Sequence, residues 1–197
     1  MASSAQICNL ALSHIELTET SIANLTTDTG AVATQCRIHY DVAREFVLAD
    51  HDWGFAEAEV ILADVGAPSK LWAYRYDYPS TCKKIREIQR LSPEDRPVPF
   101  KIQLIADGSK KSILTDMPQA VGIYTSDVTN TTLFSPGFTT ALSWYLAAEL
   151  VPALGGGTSL REQTLRVYQG MIAAAQAQDA QEQRPREEID ASWIAGR

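Results

Sequence analysis

The stretch from Asp28 to Phe55 reads DTGAVATQCRIHYDVAREFVLADHDWGF, and its apolar residues recur with the spacing of an α-helix. On a helical wheel they form two neighbouring stripes, the first with Val32, Cys36, Tyr40, Ala43 and Val47 and the second with Ile38, Val42, Phe46, Ala49 and Trp53. Because only about a third of the circumference is polar, we expect other segments to pack on both stripes. Asp28 is predicted to cap the helix, and Gly54 to end it in a left-handed conformation. This helix is predicted to be the spine of a bundle.

Three further segments carry helical periodicity and complete the predicted bundle. The first is expected to run to about Leu17, the second from Phe138 until Pro152 stops it, and the third from a capping-box pattern at Ser159 to about residue 183. The alanine-rich end of the last helix, residues 173–183, either approaches a neighbour closely or forms an exposed arm. The bundle is therefore assigned to residues 1–56 and 129–183.

Between these helical segments, residues 57–128 show the period of two that is typical of strands. Strands are predicted at residues 60–62 (short and buried), 71–79, 82–88, 100–104, 111–115 and 121–124, with a hairpin turn at Asp107-Gly108. Residues 184–197, which contain the helix-breaking Pro185, are assigned to a C-terminal tail. The predicted fold class is α+β, mainly α: a helical bundle with an inserted small antiparallel β-sheet and an extended C-terminal arm.

Composition narrows the classes of function. The chain has 197 residues and a formal net charge of −7, which argues against nucleic-acid binding through a basic surface. No apolar run approaches the ~20 residues of a membrane span, and Met1 begins no signal-peptide pattern, so we expect an intracellular protein. Three cysteines at unrelated spacings favour buried, reduced thiols over a disulfide framework.

The search for catalytic chemistry yields one arrangement, in which His51 could work with Asp50 or Asp52 as a small metal-dependent or hydrolase-like site. A helix-terminal histidine is the simpler interpretation. Cys36 and His39 have the spacing of metal ligands, but no second pair accompanies them, and His14 is expected to be a hydrogen-bonded core residue. We predict no catalytic residue, no cofactor and no metal site.

The aromatic residues Trp72, Tyr74, Tyr76 and Tyr78 alternate, so an extended strand would place all four rings on one face. Such a face could stack the bases of single-stranded nucleic acid, although few basic residues surround it. A buried sheet face or a protein interface is the favoured interpretation.

The tail is unusual because Trp193 and Ile194 lie beyond a charged stretch that contains Pro185. The segment that carries them is too short to form a hydrophobic core of its own. One interpretation is a frayed end with an incidental tryptophan. The other is an anchor peptide whose large ring fills a pocket on a partner.

Several motifs, in this order, resemble the tail tubular protein A family, the head-to-tail adaptors of short-tailed phages. They are Asp52-Trp53-Gly54-Phe55-Ala56, the aromatic stretch 72–79 leading to Cys82, Tyr124-Thr125-Ser126-Asp127-Val128, Phe134-Ser135-Pro136-Gly137-Phe138, and the helix from Ala141 to Leu150. The similarity covers nearly the whole chain.

The resemblance implies a non-enzymatic virion protein, made in the host cytoplasm, that forms a ring, usually a dodecamer. The ring would lie between the portal and the tail nozzle, surrounding DNA that passes without sequence-specific binding, and no membrane would be involved. The C-terminal segment would reach the portal through Ile189, Ser192, Trp193, Ile194 and Arg197. The β part, with Trp72, Tyr74, Tyr76 and Tyr78, would face ring neighbours, the nozzle or the tail fibres.

Overall fold

The computed structural model describes residues 2–17, 19, 21–66, 69–90, 97–105 and 108–183. This part of the chain contains four α-helices and two three-stranded antiparallel sheets, which confirms the α+β, mainly α class. The predicted tail, residues 184–197, lies outside the described residues.

The four helices form one bundle whose central member is α3. The helices are α1 (Ser4–His14), α2 (Ala31–Asp50), α3 (Pro136–Ala153) and α4 (Thr158–Glu182). We predicted α2 as the spine, but α3 packs against all three other helices. The reason is composition: α3 is apolar nearly all round and buries Phe138, Ala141, Leu142, Leu146, Ala147, Ala148, Leu150 and Val151. None of the described helices has both the length and the apolar character needed to cross a bilayer.

The predicted helix ends are partly wrong. The helix α2 starts after Gly30, and Asp28 instead accepts hydrogen bonds from the backbone N–H groups of Ala23 and Asn24 in the preceding loop. After Asp50 the chain becomes extended, and Gly54 opens a short 3-10 turn rather than ending the helix.

The last helix starts one residue before the predicted Ser159, after Gly157 and without a side-chain cap. At α1, by contrast, Ser3 and Gln6 form a complete capping box.

The β part consists of two sheets instead of the single sheet that we predicted. Its strands are β1 (Glu57–Ile61), β2 (Tyr74–Asp77), β3 (Cys82–Gln89), β4 (Phe100–Leu104), β5 (Lys111–Thr115) and β6 (Val121–Ser126). One sheet has the order β1-β6-β3 and the other the order β2-β5-β4. Strands of both sheets bury side chains in a second hydrophobic core, which lies between the sheets. This core includes Tyr76, Ile85, Ile88, Ile113 and Tyr124.

A buried ion pair joins the bundle to the β part. The Arg44 guanidinium on α2 is 3% exposed, and its Nη1 donates to Asp127 Oδ1 and, at 3.0 Å, to the Val128 carbonyl oxygen. The Lys83 ammonium on β3 also contacts Asp127, at 3.1 Å. Asp127 follows β6 and donates its own N–H to the Thr81 carbonyl at 2.7 Å, which fixes the end of that strand.

Candidate assembly surfaces

His51 does not form the catalytic arrangement considered from the sequence. Its Nε2 lies 3.1 Å from Asp179 Oδ2 on α4, whereas Asp50 accepts from Gln176 at 3.4 Å and Asp52 pairs with Lys84 at 3.0 Å. The structure therefore directs the three side chains to three different partners.

Asp179 is the centre of a structural contact between α4 and the turn after α2. It is buried, and its carboxylate accepts hydrogen bonds from the Gly54 N–H at 3.2 Å and from Gln183 Nε2 at 2.6 Å. The neighbouring Trp53 is fully buried and donates from Nε1 to the Val47 carbonyl at 2.9 Å. The carboxylate thus satisfies a backbone donor that the 3-10 turn leaves unpaired.

Other residues with reactive side chains are packed within the bundle. His14 is hydrogen-bonded, as predicted, but half-buried rather than in the core: it stacks on Trp144 with centroids 3.7 Å apart, and its Nε2 lies 3.0 Å from Ser143 Oγ. Desolvation lowers the pKa of His14. Cys8 and Cys36 are both buried, and a hydrogen bond with Cys36, together with burial, raises the pKa of Cys8. Among the described residues, no group of three potential ligands could hold a metal ion.

The aromatic strand contributes mainly to the core between the sheets. Tyr76 is buried and donates from its hydroxyl to the Met117 carbonyl at 2.7 Å, so the buried-face interpretation is confirmed for this residue. Tyr74 and Tyr78 are half-buried beside it. Trp72 lies outside β2, in a turn that bridges to Ser69. The subunit or nozzle interface stays a prediction for Trp72, Tyr74 and Tyr78, while the ring of Tyr76 faces inward.

The second apolar stripe is exposed along α2 itself, and only Trp53, beyond the end of the helix, is buried. The prediction that other segments pack on both stripes is therefore wrong for the helical part of this stripe. The exposed fractions are 58% for Ile38, 69% for Val42 and 48% for Phe46. The ring of Phe46 stacks on Tyr145 of α3 at a centroid distance of 4.5 Å, and this side chain also remains exposed to solvent. The first stripe packs on the bundle through Cys36, Tyr40, Ala43 and Val47. We call Ile38, Val42 and Phe46 the α2 face.

Apolar side chains are also exposed on the β part. Val60 and Ile61 on β1 are exposed, so the predicted burial of this strand is wrong except at Leu62, which follows it. On β4, Ile102 is 43% and Leu104 60% exposed. An open groove of about 520 Å³ lies beside β1 and the start of β5 and is lined by Val60, Ile61, Pro79, Cys82, Lys110 and Lys111, among others.

The charge of the hairpin formed by β4 and β5 differs from that of the whole protein. Residues 100–115 contain three lysines and one aspartate, whereas the chain has 17 basic and 24 acidic residues. Lys101 and Lys110 are exposed, and Lys111 Nζ lies 5.4 Å from the centroid of the Tyr78 ring. We call Ile102, Leu104, Lys110 and Lys111 the hairpin surface; Lys111 lies directly opposite Leu104 on the neighbouring strand, whereas Lys101 lies on the other face of β4. It combines apolar contact area with positive charge.

The predicted portal-binding residues Ile189, Ser192, Trp193, Ile194 and Arg197 lie outside the described residues. Sequence comparison with models of known protein families and with curated proteins finds no match for this chain.

Proposed function

We propose that this protein is a structural head-to-tail adaptor of a phage virion, which forms a ring between the portal and the tail nozzle around the DNA path. The observation that carries the proposal is the α2 face. The helix α2 presents three large apolar side chains to solvent, and the exposure of such a stripe is energetically unfavourable unless another molecule covers it.

The arrangement of exposed apolar residues supports a ring. A closed ring needs two different, complementary patches on each subunit. The α2 face belongs to the bundle and the hairpin surface to the β part, so the chain carries two such patches on separate elements.

The contacts of His51 support a structural function over the hydrolase-like alternative. Its ring is engaged by Asp179, and the same carboxylate holds the backbone of Gly54. The shared carboxylate thereby ties the turn after α2 to α4, which is a structural role for this pairing.

Negative-stain microscopy and light scattering test the proposal with the full chain, alone and mixed with the portal protein of the same phage. We expect rings, or subunits bound in a ring on the portal. A protein that remains monomeric beside an assembled portal, over a range of concentrations, would refute the adaptor function.

A further inference from the structure

The α2 face cannot be covered by the hairpin of its own chain. α2 contacts the β part through β3, a strand of the β1-β6-β3 sheet, while the hairpin belongs to the other sheet. Both surfaces are exposed at once in the single chain. If a hairpin surface covers the α2 face, that hairpin must therefore belong to a second copy of the chain.

The charges around the two surfaces are complementary. The α2 face is bordered by Asp41, whose side chain is 70% exposed, and by Glu45, which is 45% exposed. Within the chain Asp41 contacts the buried Arg44 at 3.4 Å and Glu45 contacts Lys83 at 3.0 Å, and both carboxylates remain partly open to solvent. On the hairpin surface Lys111 lies opposite Leu104, and the exposed Lys110 precedes it. Opposite charges at the border of an apolar contact guide association and set its register.

The same charges disfavour the pairing of two identical surfaces. If two α2 faces met across a two-fold axis, the acidic borders of both copies would approach each other. Two hairpin surfaces would likewise oppose their lysines. Of the three pairings available to these surfaces, only the α2 face against the hairpin surface joins unlike charges.

From these observations we infer that the α2 face of one copy docks on the hairpin surface of the next copy, with Ile38, Val42 and Phe46 against Ile102 and Leu104. This inference rests on the proposed ring, for which it names the contact between subunits. The contact is heterologous, because each copy offers a different surface to each of its two neighbours.

Complementary variants test this contact in the full chain. Val42→Glu should disrupt docking by the α2 face, and Leu104→Glu should disrupt docking by the hairpin surface. Both side chains are exposed in the single chain, so the substitutions should leave its fold intact. We expect each variant to weaken self-association by about tenfold or more in sedimentation velocity, because a charge is placed at the centre of the contact. Leu71→Glu is the matched control, since Leu71 is 85% exposed and belongs to neither surface; it should assemble as the unchanged protein does.

Mixing the two variants distinguishes a heterologous contact from an isologous one. The Val42→Glu protein keeps an intact hairpin surface and the Leu104→Glu protein an intact α2 face. Together they should form a one-to-one dimer that cannot grow, while each alone remains monomeric. When the unchanged protein assembles in solution, variants that assemble normally, that each dimerise alone, or that stay monomeric when mixed would overturn the inference.

Cross-linking covers the case in which the unchanged protein assembles only on the portal. Val42→Cys and Leu104→Cys proteins are mixed at high concentration, with and without portal, and treated with a short thiol-reactive cross-linker; the three native cysteines are buried. The mixed pair should cross-link far more than either variant with itself. Equal or absent cross-linking would overturn the contact.

Two further measurements distinguish this contact from the proposed adaptor function and from nucleic-acid binding. A cross-linked pair that does not bind the portal would support the contact and remove the adaptor function. Loss of single-stranded DNA binding in Lys111→Glu, with assembly unchanged, would show that the hairpin surface binds nucleic acid and would overturn the contact.

Discussion

At the scale of single residues, Arg44 shows how a charged side chain comes to lie inside this fold. Its position on the polar arc of α2 predicts exposure, yet the residue is 3% exposed because the loop after β6 covers it with Asp127 and the Val128 carbonyl. A buried guanidinium is tolerated only when its donors are paired. Asp127 is therefore the carboxylate that pairs with Arg44 where the bundle meets the β part.

Replacing Asp127 with Asn should destabilise the protein by about 2 kcal/mol, below the ~3–5 kcal/mol of a fully buried pair because the Asp127 side chain is 26% exposed. Asp41→Asn is the control: this side chain is 70% exposed, and the change should stay within ~0.5 kcal/mol. Urea unfolding gives both free energies. Equal effects of the two substitutions would contradict a special role for Asp127.

The same carboxylate predicts a pH dependence. Burial alone would raise the pKa of Asp127, but hydrogen bonds from Arg44 and Lys83 prevail and lower it. The folded state then binds fewer protons than the unfolded state in acid, so this stabilisation is present above the ordinary carboxyl pKa of about 4 and is lost as the pH falls below it. The difference in unfolding free energy between the unchanged protein and Asp127→Asn should be constant above about pH 5 and shrink below about pH 4. A difference that stays constant to pH 2 would contradict this.

At the scale of elements, the pairing of α3 and α4 depends on small residues. A Cβ placed on Gly137 would lie 2.9 Å from Ala175 Cβ and 3.2 Å from its Cα, too close for any side chain without displacement of the helix. The alanine-rich end of α4 therefore provides the close approach that was one of its two predicted roles, since Ala175 is buried in the bundle.

Gly137→Ala should destabilise the bundle by about 1–2 kcal/mol through overpacking. Gly170, within α4, is the matched control because a Cβ there would meet nothing within 4 Å. Gly170→Ala should stabilise the protein by ~0.5–1 kcal/mol, since alanine restricts the unfolded chain and favours helix. Thermal unfolding of both variants measures the contrast, and effects of the same sign would be inconsistent with close helix packing at Gly137.

At the scale of the whole molecule, the proposed adaptor must bind copies of itself and also the portal. Deleting residues 189–197 should leave the monomer folded, because the two described cores are built from residues before Gln183. Portal affinity should fall, because Trp193 and Ile194 are the anchor candidates of the tail. Trp193→Ala alone should reproduce most of the loss, with Ser192→Ala as the conservative comparison. Interferometry on immobilised portal measures the affinity, and unchanged docking of the truncated chain would count against the anchor.

The sequence by itself determined which elements form and in what order, because helix and strand periodicity are local properties of neighbouring residues. Hence the bundle helices, the β-rich insertion and the packed stripe of α2 could be predicted. Only the tertiary structure decided that α3 is central, that the strands divide into two sheets and that Arg44 is buried. It also left the α2 face uncovered. These features depend on which segments, distant in the sequence, pack against each other. An apolar stripe has the same sequence pattern whether it packs against its own chain or against another molecule.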